Sequence, residues 1–403
     1  MDFTFTEEQA AVSEAAAAVF AGQAGTERVA EVERTPDRFD DALWAELAKA
    51  NLLGLAVPEA HGGSGLGLTE VCLVLEQQGR AVAPVPLWAT SILGALPIAH
   101  FGTPDQQARW LPPVVAGEVR LSAALGDVAG GSPPAVRAQR DGDGWRLSGT
   151  ARAVPQAHLA ACVLVPAVVD DPTGPPGTPG ATGAPGGATV VALVDPTAPG
   201  TTVERAVTTD RQVHPHLHFD GARVEADAVL GAPGDGPAGT GADGDAVVAW
   251  VLDRARTGLC AIQLGVTEEA VRRTAAYLNQ RHQFGRPLSS FQGTMLRAAD
   301  AYIDTEAIRV TTWQAAWRID EGLPSAEAVA VAHWWASEAG QRVVHATQHL
   351  HGGMGADIEY PIHRYFLWGK QIELMLQGPS AELARLGSLV AARIGTPVGA
   401  GSS

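Results

Sequence analysis

The chain reads as α+β, with its elements in the order helical, antiparallel β, helical. Three observations predict this. Apolar residues recur at helical spacing through about the first 115 positions, short strand-like runs fill the middle third, and long amphipathic segments follow residue 246. With 403 residues, 46% of them hydrophobic, the chain can bury a large core and is long enough for two or three domains.

Taken in order, Thr6-Glu7-Glu8-Gln9 is a capping box that opens the Ala-rich run to Phe20. Helical spacing recurs over 43–53 and 70–79. Strand character then appears at 119–125, 135–139, 145–148, 161–166, 189–194 and 213–219. Asp141-Gly142-Asp143-Gly144 sits between two of these runs as a hairpin turn. Residues 171–188 form a Gly/Pro/Thr stretch that cannot pack a core and reads as a flexible surface insertion. The last third carries amphipathic segments at 247–280, 295–322, 325–350 and 360–393. These textures divide the chain into an N-terminal all-helical domain (1–117), a middle β-domain (118–231), a linker (232–245), a C-terminal helical region (246–395) and a disordered tail (396–403).

Composition excludes several function classes. Twenty-eight Lys+Arg against 44 Asp+Glu give a net charge of -16, which repels phosphate backbones and anionic lipid heads, so no nucleic-acid partner is expected. Cys72, Cys162 and Cys260 are far apart and form neither a disulfide framework nor a metal knot, which fits a reducing cytoplasm. The start, Met1-Asp2-Phe3-Thr4, lacks the basic opening and apolar run of a secretory signal. No apolar run is long enough to span a bilayer, so no membrane role is expected.

Three stretches carry chemistry. Residues 51–65 hold a helix end, Pro58 and a Gly-rich loop through Gly62, Gly63 and Gly65, which any globular protein can contain. Arg281, Phe284, Gly285, Arg286, Phe291 and Gln292 lie on the turn between two long helices. A pyrophosphate needs a cation with forked donors and an adenine needs an apolar or aromatic face, so this spacing suits an adenine dinucleotide. Gln348-His349-Leu350-His351-Gly352-Gly353-Met354-Gly355 is either a helix C-cap or a loop whose paired glycines let backbone amides approach a ligand. His214, His216 and His218 alternate as if on one strand face, but Pro215 interrupts the strand and no acid or cysteine stands at ligand spacing, so they read as structural or solvent-facing. Trp334-Trp335 reads as packing.

These stretches resemble the acyl-CoA dehydrogenase family. Residues 51–65 match its G-L-x-G-L-x-V-P-E-x-x-G-G-x-G segment. Trp110-Leu111-Pro112-Pro113 with Gly117-Glu118 matches its next landmark, and Phe219-Asp220 with Leu230-Gly231 matches the end of its β-domain. The resemblance covers nearly the whole chain and implies that family's fold, with the C-terminal region a four-helix bundle. It also implies FAD as cofactor, an acyl-CoA substrate, electron-transfer flavoprotein as electron acceptor, and Arg281, Phe284 and Gln292 gripping the ADP half of FAD bound mainly by a neighbouring subunit. Gly352 and Gly353 complete that site, with His349 where the family carries Gln.

Family chemistry removes an acyl-CoA α-proton with a glutamate while the β-hydrogen leaves as hydride to the flavin. Of the two positions that supply this base, one reads Ala255, before Arg256, and the other Leu376 or Gln377. Neither can accept a proton, so no catalytic residue is assigned. The family's T-E-P-x-x-G-S-D loop is matched poorly by residues 125–132, and its W-I-T strand, which backs the flavin ring, by Ala153-Val154-Pro155. What a subunit lends to a neighbour's FAD is kept and what it needs for its own flavin is lost. That division resembles the heteromeric α2β2 acyl-CoA dehydrogenases of bacterial steroid side-chain degradation, and implies a homologous catalytic partner. A stand-alone enzyme with a relocated base, Asp253 or Glu373, is the alternative, followed by a flavin monooxygenase or a non-enzymatic member of the fold.

Overall fold

A computed structural model describes residues 4–170, 187–231 and 241–395. Most of the 171–188 insertion and of the 232–245 linker, and all of the 396–403 tail, lie outside the described residues.

The N-terminal third is helical: α1 (Glu7–Gln23), α2 (Thr26–Val32), α3 (Asp41–Lys49), α4 (Leu68–Ala81), α5 (Leu96–Phe101) and α6 (Pro104–Val115). Thr6 and Gln9 form the capping box of α1 in both directions. Trp88–Ala95 is a π-helix leading into α5; Pro97 in the next turn has no N–H to sustain a regular α-ladder. Helix α4 is buried along most of its length.

The middle third is one seven-stranded sheet, ordered β1-β4-β2-β3-β7-β6 with β5 paired to β4. Its strands are β1 (Leu121–Ala123), β2 (Arg137–Asp141), β3 (Gly144–Ala151), β4 (Cys162–Val169), β5 (Thr189–Val194), β6 (Thr201–Glu204) and β7 (His216–Val224). The Asp141–Gly144 hairpin forms as expected. The antiparallel expectation is corrected, because β4 runs parallel to both β1 and β2 and the sheet is mixed. Parallel pairs join segments distant in sequence, which no turn signal marks.

The last third contains α7 (Gly244–Gln280), a short hairpin of β8 (His282–Gln283) and β9 (Arg286–Pro287), α8 (Gln292–Asp320), α9 (Ala326–Leu350), α10 (Ile362–Leu374) and α11 (Pro379–Gly395). The amphipathic segment expected over 360–393 is thus two helices. Leu376 and Gln377 between them adopt left-handed φ of 54° and 85°, and Gly378-Pro379 restarts the chain in a new direction. Helices α4 and α7 cross at touching distance through Gly79 and Gly265; a Cβ on either meets backbone oxygen of the other helix at 2.1 or 1.9 Å. One continuous apolar core therefore joins the N-terminal helices to the bundle, and a second fills the sheet.

Candidate functional site

The α7–α8 turn is built to display its side chains. The backbone of Phe284 and Gly285 is left-handed (φ 53° and 78°), which makes the two-residue β8–β9 loop a type I′ turn. Glycine is at ease there and phenylalanine is not. Phe284 is 92% exposed as a result. Beneath it Phe291 meets the Phe284 ring edge-on at 6.2 Å and carries the Arg286 guanidinium 4.1 Å above its own ring. The Leu288 amide donates to the Arg281 carbonyl at 2.8 Å and closes the loop. Arg281 and Gln292, at the two helix ends, are exposed.

Tyr277, one turn before the end of α7, stacks on His351 at 4.5 Å. The His351 Nδ1–H donates to the Thr347 carbonyl at 2.8 Å, and Gln348 Nε2 donates to the Gly355 carbonyl at 2.9 Å. These contacts hold the loop Gly352–Ala356 at the same end of the bundle as Arg281 and Gln292. Gly352 takes a left-handed φ of 60°; it, Gly353 and His349 are exposed. The structure thus brings all six expected binding residues to one bundle end, and all six face outward. Forked donors, an aromatic face and free backbone amides suit an adenine dinucleotide, but a ligand lying here needs a second wall from outside the protomer.

The two base positions lie elsewhere. Ala255 is fully buried, and its carbonyl accepts a hydrogen bond from Trp88 Nε1 at 3.0 Å. Gln377 lines a cavity of about 280 Å³ together with Trp88, Ala153, Pro155, His214 and Leu376. Ala153 and Pro155 stand in its wall where the resemblance leads one to expect the W-I-T strand, and Trp88 is the aromatic side chain that lines it. Gln377 also borders a larger cavity of about 940 Å³ between the loop at 128–134, α7 and α11.

A charge cluster closes the floor of that larger cavity. Arg256 and Glu382 are both buried, with Nε and Oε1 2.9 Å apart, and Arg256 Nη2 donates to the Ala129 carbonyl at 2.7 Å. Arg385 joins Asp253 at 2.7 Å and Glu382 at 3.4 Å, and His333 Nδ1 lies 3.4 Å from Glu382. Burial opposes the charge on Glu382, but His333, Arg256 and Arg385 outweigh it and hold the carboxyl below its ordinary range. Burial keeps His333 below the ordinary imidazole range. A carboxylate so committed is a weak proton acceptor. The two acids considered as relocated bases each have an ion-pair partner, Asp253 in Arg385 and Glu373 in Lys370.

Glu382, Arg385, His333 and Trp88 were not foreseen. The one signal was Arg256 on an apolar helix, which demanded a buried counter-charge without saying where it lay. His214 precedes β7 and is buried, while His218 pairs with Glu204 at 2.7 Å and His216 accepts from the Ala153 amide at 2.9 Å. The three imidazoles do not share one face, and among the described residues no cluster of metal-ligating side chains occurs. Trp334 and Trp335 pack edge-on against each other at 5.1 Å.

Two family profiles match this sequence: "Acyl-CoA dehydrogenase, N-terminal domain" over residues 6–118 and "Acyl-CoA dehydrogenase, C-terminal domain" over residues 242–384. Acyl-CoA dehydrogenase FadE27 of Mycobacterium tuberculosis is 36% identical over 395 residues, 96% of this chain and 98% of that protein. A solved variant of the Tcur3481-Tcur3483 steroid ACAD is 45% identical with a TM-score of 0.84, covering 97% of this chain and 99% of that one. The ChsE4-ChsE5 complex from Mycobacterium tuberculosis is 36% identical with a TM-score of 0.86, covering 99% of this chain and 100% of that one. Among the described residues no helix is long and apolar enough to cross a membrane.

Proposed function

The chain belongs to the acyl-CoA dehydrogenase family, and from that premise we propose that it is the non-catalytic subunit of a heteromeric, FAD-dependent acyl-CoA dehydrogenase. In this reading Arg281, Phe284, Gln292, His349, Gly352 and Gly353 complete the ADP end of FAD bound mainly by a homologous partner. The partner supplies the catalytic base.

The outward display of those six residues carries the reading. They fit the dinucleotide end of FAD in donor type and aromatic character, yet they open onto the surface, as groups lent to a neighbour do. In this reading the cavity lined by Ala153 and Pro155 is a ring-side site without the family's W-I-T strand, and the base positions hold Ala255 and either Leu376 or Gln377. Asp253 and Glu373, both tied up in ion pairs, speak against a relocated base. FAD, when bound, accepts the hydride from the acyl β-carbon; this chain's contribution is to bind and orient the ADP end.

The solved relative named a steroid ACAD supports a bulky, steroid-derived acyl thioester as the substrate class of the assembly. Electron-transfer flavoprotein is the proposed acceptor. Co-expression with a family chain that bears Glu at the position of Ala255 or Gln377 tests the proposal. FAD and acyl-CoA turnover are expected in the complex and not in this chain alone, and Arg281→Ala should strip FAD from the complex. A chain that alone purified yellow, with stoichiometric FAD and turnover, sinks the reading.

A further inference from the structure

Between the last turns of α7 and the start of α10 lies a cleft of about 160 Å³. Arg272, Arg273, Tyr277 and Gln280 line it from α7, at spacings that put them on one helix face, and Tyr360 lines it from the other wall. Its remaining lining residues are apolar, and none is acidic. In a chain of net charge -16, that concentration of donors without a lining carboxylate calls for an anion.

The positive charge is only half compensated. Glu269 accepts from Arg272 Nε at 2.6 Å and from Arg273 Nε at 2.8 Å, so one carboxylate faces two guanidinium groups. Among the described residues no other carboxylate pairs with either arginine. Glu268, the adjacent acid, turns to Arg80 and Arg309 instead. Glu359 is exposed beside Tyr360 but does not line the cleft. Arg273 lies 5.4 Å over the Tyr365 ring and opposes the upward push of burial on the Tyr360 phenol, which places its charge near that hydroxyl. Ile362 begins α10 and lines the cleft, so the positive end of a 13-residue helix opens on it.

Shape and size narrow the choice of anion. A planar carboxylate is satisfied by one guanidinium fork, whereas two guanidinium groups, two phenols and an amide on two walls suit the tetrahedral oxygens of a phosphate. At about 30 Å³ per water the cleft has room for about five, well below the roughly 300–1,000 Å³ of pockets that enclose a drug-sized ligand. A phosphate group fits and a whole dinucleotide does not. We propose that the cleft is a phosphate site, separate from the α7–α8 turn, that takes the ion free or as the phosphate end of a nucleotide. Tyr277 belongs to the cleft and stacks on His351 at 4.5 Å, so a bound phosphate also steadies the loop Gly352–Ala356. The site does not depend on the heteromeric reading.

Isothermal titration of the full chain with inorganic phosphate, in a chloride buffer free of other oxyanions, tests the proposal. One saturable site is expected, weakened about 100-fold in Arg272→Gln/Arg273→Gln at about 10-fold for each lost charged contact. Far-UV circular dichroism checks the fold of that variant. Tyr360→Phe keeps the ring and removes one hydroxyl, so it should fold as wild type and bind about 10-fold more weakly. Adenosine monophosphate separates the two sources: tighter binding than inorganic phosphate assigns the site to a nucleotide phosphate, and equal or weaker binding assigns it to the free ion. Amide exchange over Gly352–Ala356 should slow when phosphate is bound. No saturation by about 10 mM phosphate, or equal affinity in wild type and the double variant, overturns the proposal. Binding that is lost in Arg281→Ala and kept in the double variant moves the ion to the α7–α8 turn and overturns it as well. Binding without slower exchange overturns the link through Tyr277.

Discussion

Arg256 Nε lies 2.9 Å from Glu382 Oε1, with 2% and 1% of the two side chains exposed, so α11 is held to α7 by a buried ion pair at the edge of the cavity of about 940 Å³. Arg256 directly follows Ala255, one of the two positions read from the sequence as a base position. Removing one partner leaves an uncompensated buried charge. Glu382→Gln should therefore destabilise the chain by about 3–5 kcal/mol in urea denaturation, with Glu382→Asp recovering part of the loss. A change under about 1 kcal/mol would mean that solvent already reaches the pair.

The same cluster sets a pH dependence. Burial lowers the proton affinity of His333, and of His214 outside this cluster, below that of an unfolded imidazole. Below about pH 6.5 the unfolded chain therefore binds more protons than the folded one, and stability falls as pH falls. Glu382 adds to this with the same sign in a lower window, because its depressed carboxyl stabilises the fold above the unfolded value of about 4.5 and loses that contribution as the folded form becomes protonated. The melting temperature should drop between pH 7.5 and 5.5. His333→Phe should flatten part of that slope; an unchanged slope would assign it to other groups.

A glutamate placed at either expected base position should not confer activity on the isolated chain. Ala255 is fully enclosed beside Trp88, so Ala255→Glu buries an unpaired carboxylate at a cost of about 3–5 kcal/mol. Gln377 is only partly buried at a cavity wall, and Gln377→Glu should fold within about 1 kcal/mol of wild type. Neither variant, as a single chain, is expected to oxidise an acyl-CoA, because the ring-side wall of Ala153 and Pro155 remains. Turnover by the isolated Gln377→Glu chain would show that only the base was lost.

What the sequence revealed was local. The Thr6–Gln9 capping box, the Asp141–Gly144 hairpin and the strand Thr189–Val194 each combine a turn or cap residue with a short-range period, and each forms as read. The parallel placement of β4 beside β1 and β2, and the Arg256–Glu382 pair, join residues far apart in the chain, where no spacing rule reaches. The break between α10 and α11 was half visible in Gly378-Pro379 but masked by apolar spacing on either side. Arg281, Phe284 and Gln292 were legible as a group because one turn holds them; that all of them face outward became apparent only with burial in hand.

Phe284 trades stability for display. A left-handed φ of 53° costs a non-glycine residue about 1–2 kcal/mol, and the side chain recovers little by packing at 92% exposure. Asparagine tolerates that conformation. Phe284→Asn should leave the chain as stable as wild type, or more stable by up to about 1 kcal/mol, while the complex retains less flavin by absorbance. Equal flavin retention would remove Phe284 from the cofactor contact.

Asp320, in the last turn of α8, caps a helix in another third of the chain. Its carboxylate accepts from the Leu68 and Thr69 amides at 2.8 Å each and from the Thr69 hydroxyl at 2.5 Å, at the start of α4. Gly67, which precedes that helix, has no side chain to cap it, so the free amides of α4 are satisfied from α8. Asp320→Ala should cost about 1–2 kcal/mol, as loss of a helix N-cap does, with faster amide exchange in the first turn of α4. Because α4 also crosses α7 through Gly79 and Gly265, the helices should stay docked and unfolding should remain a single transition. A separate early transition of the N-terminal helices would show instead that Asp320 is their main tether to the bundle.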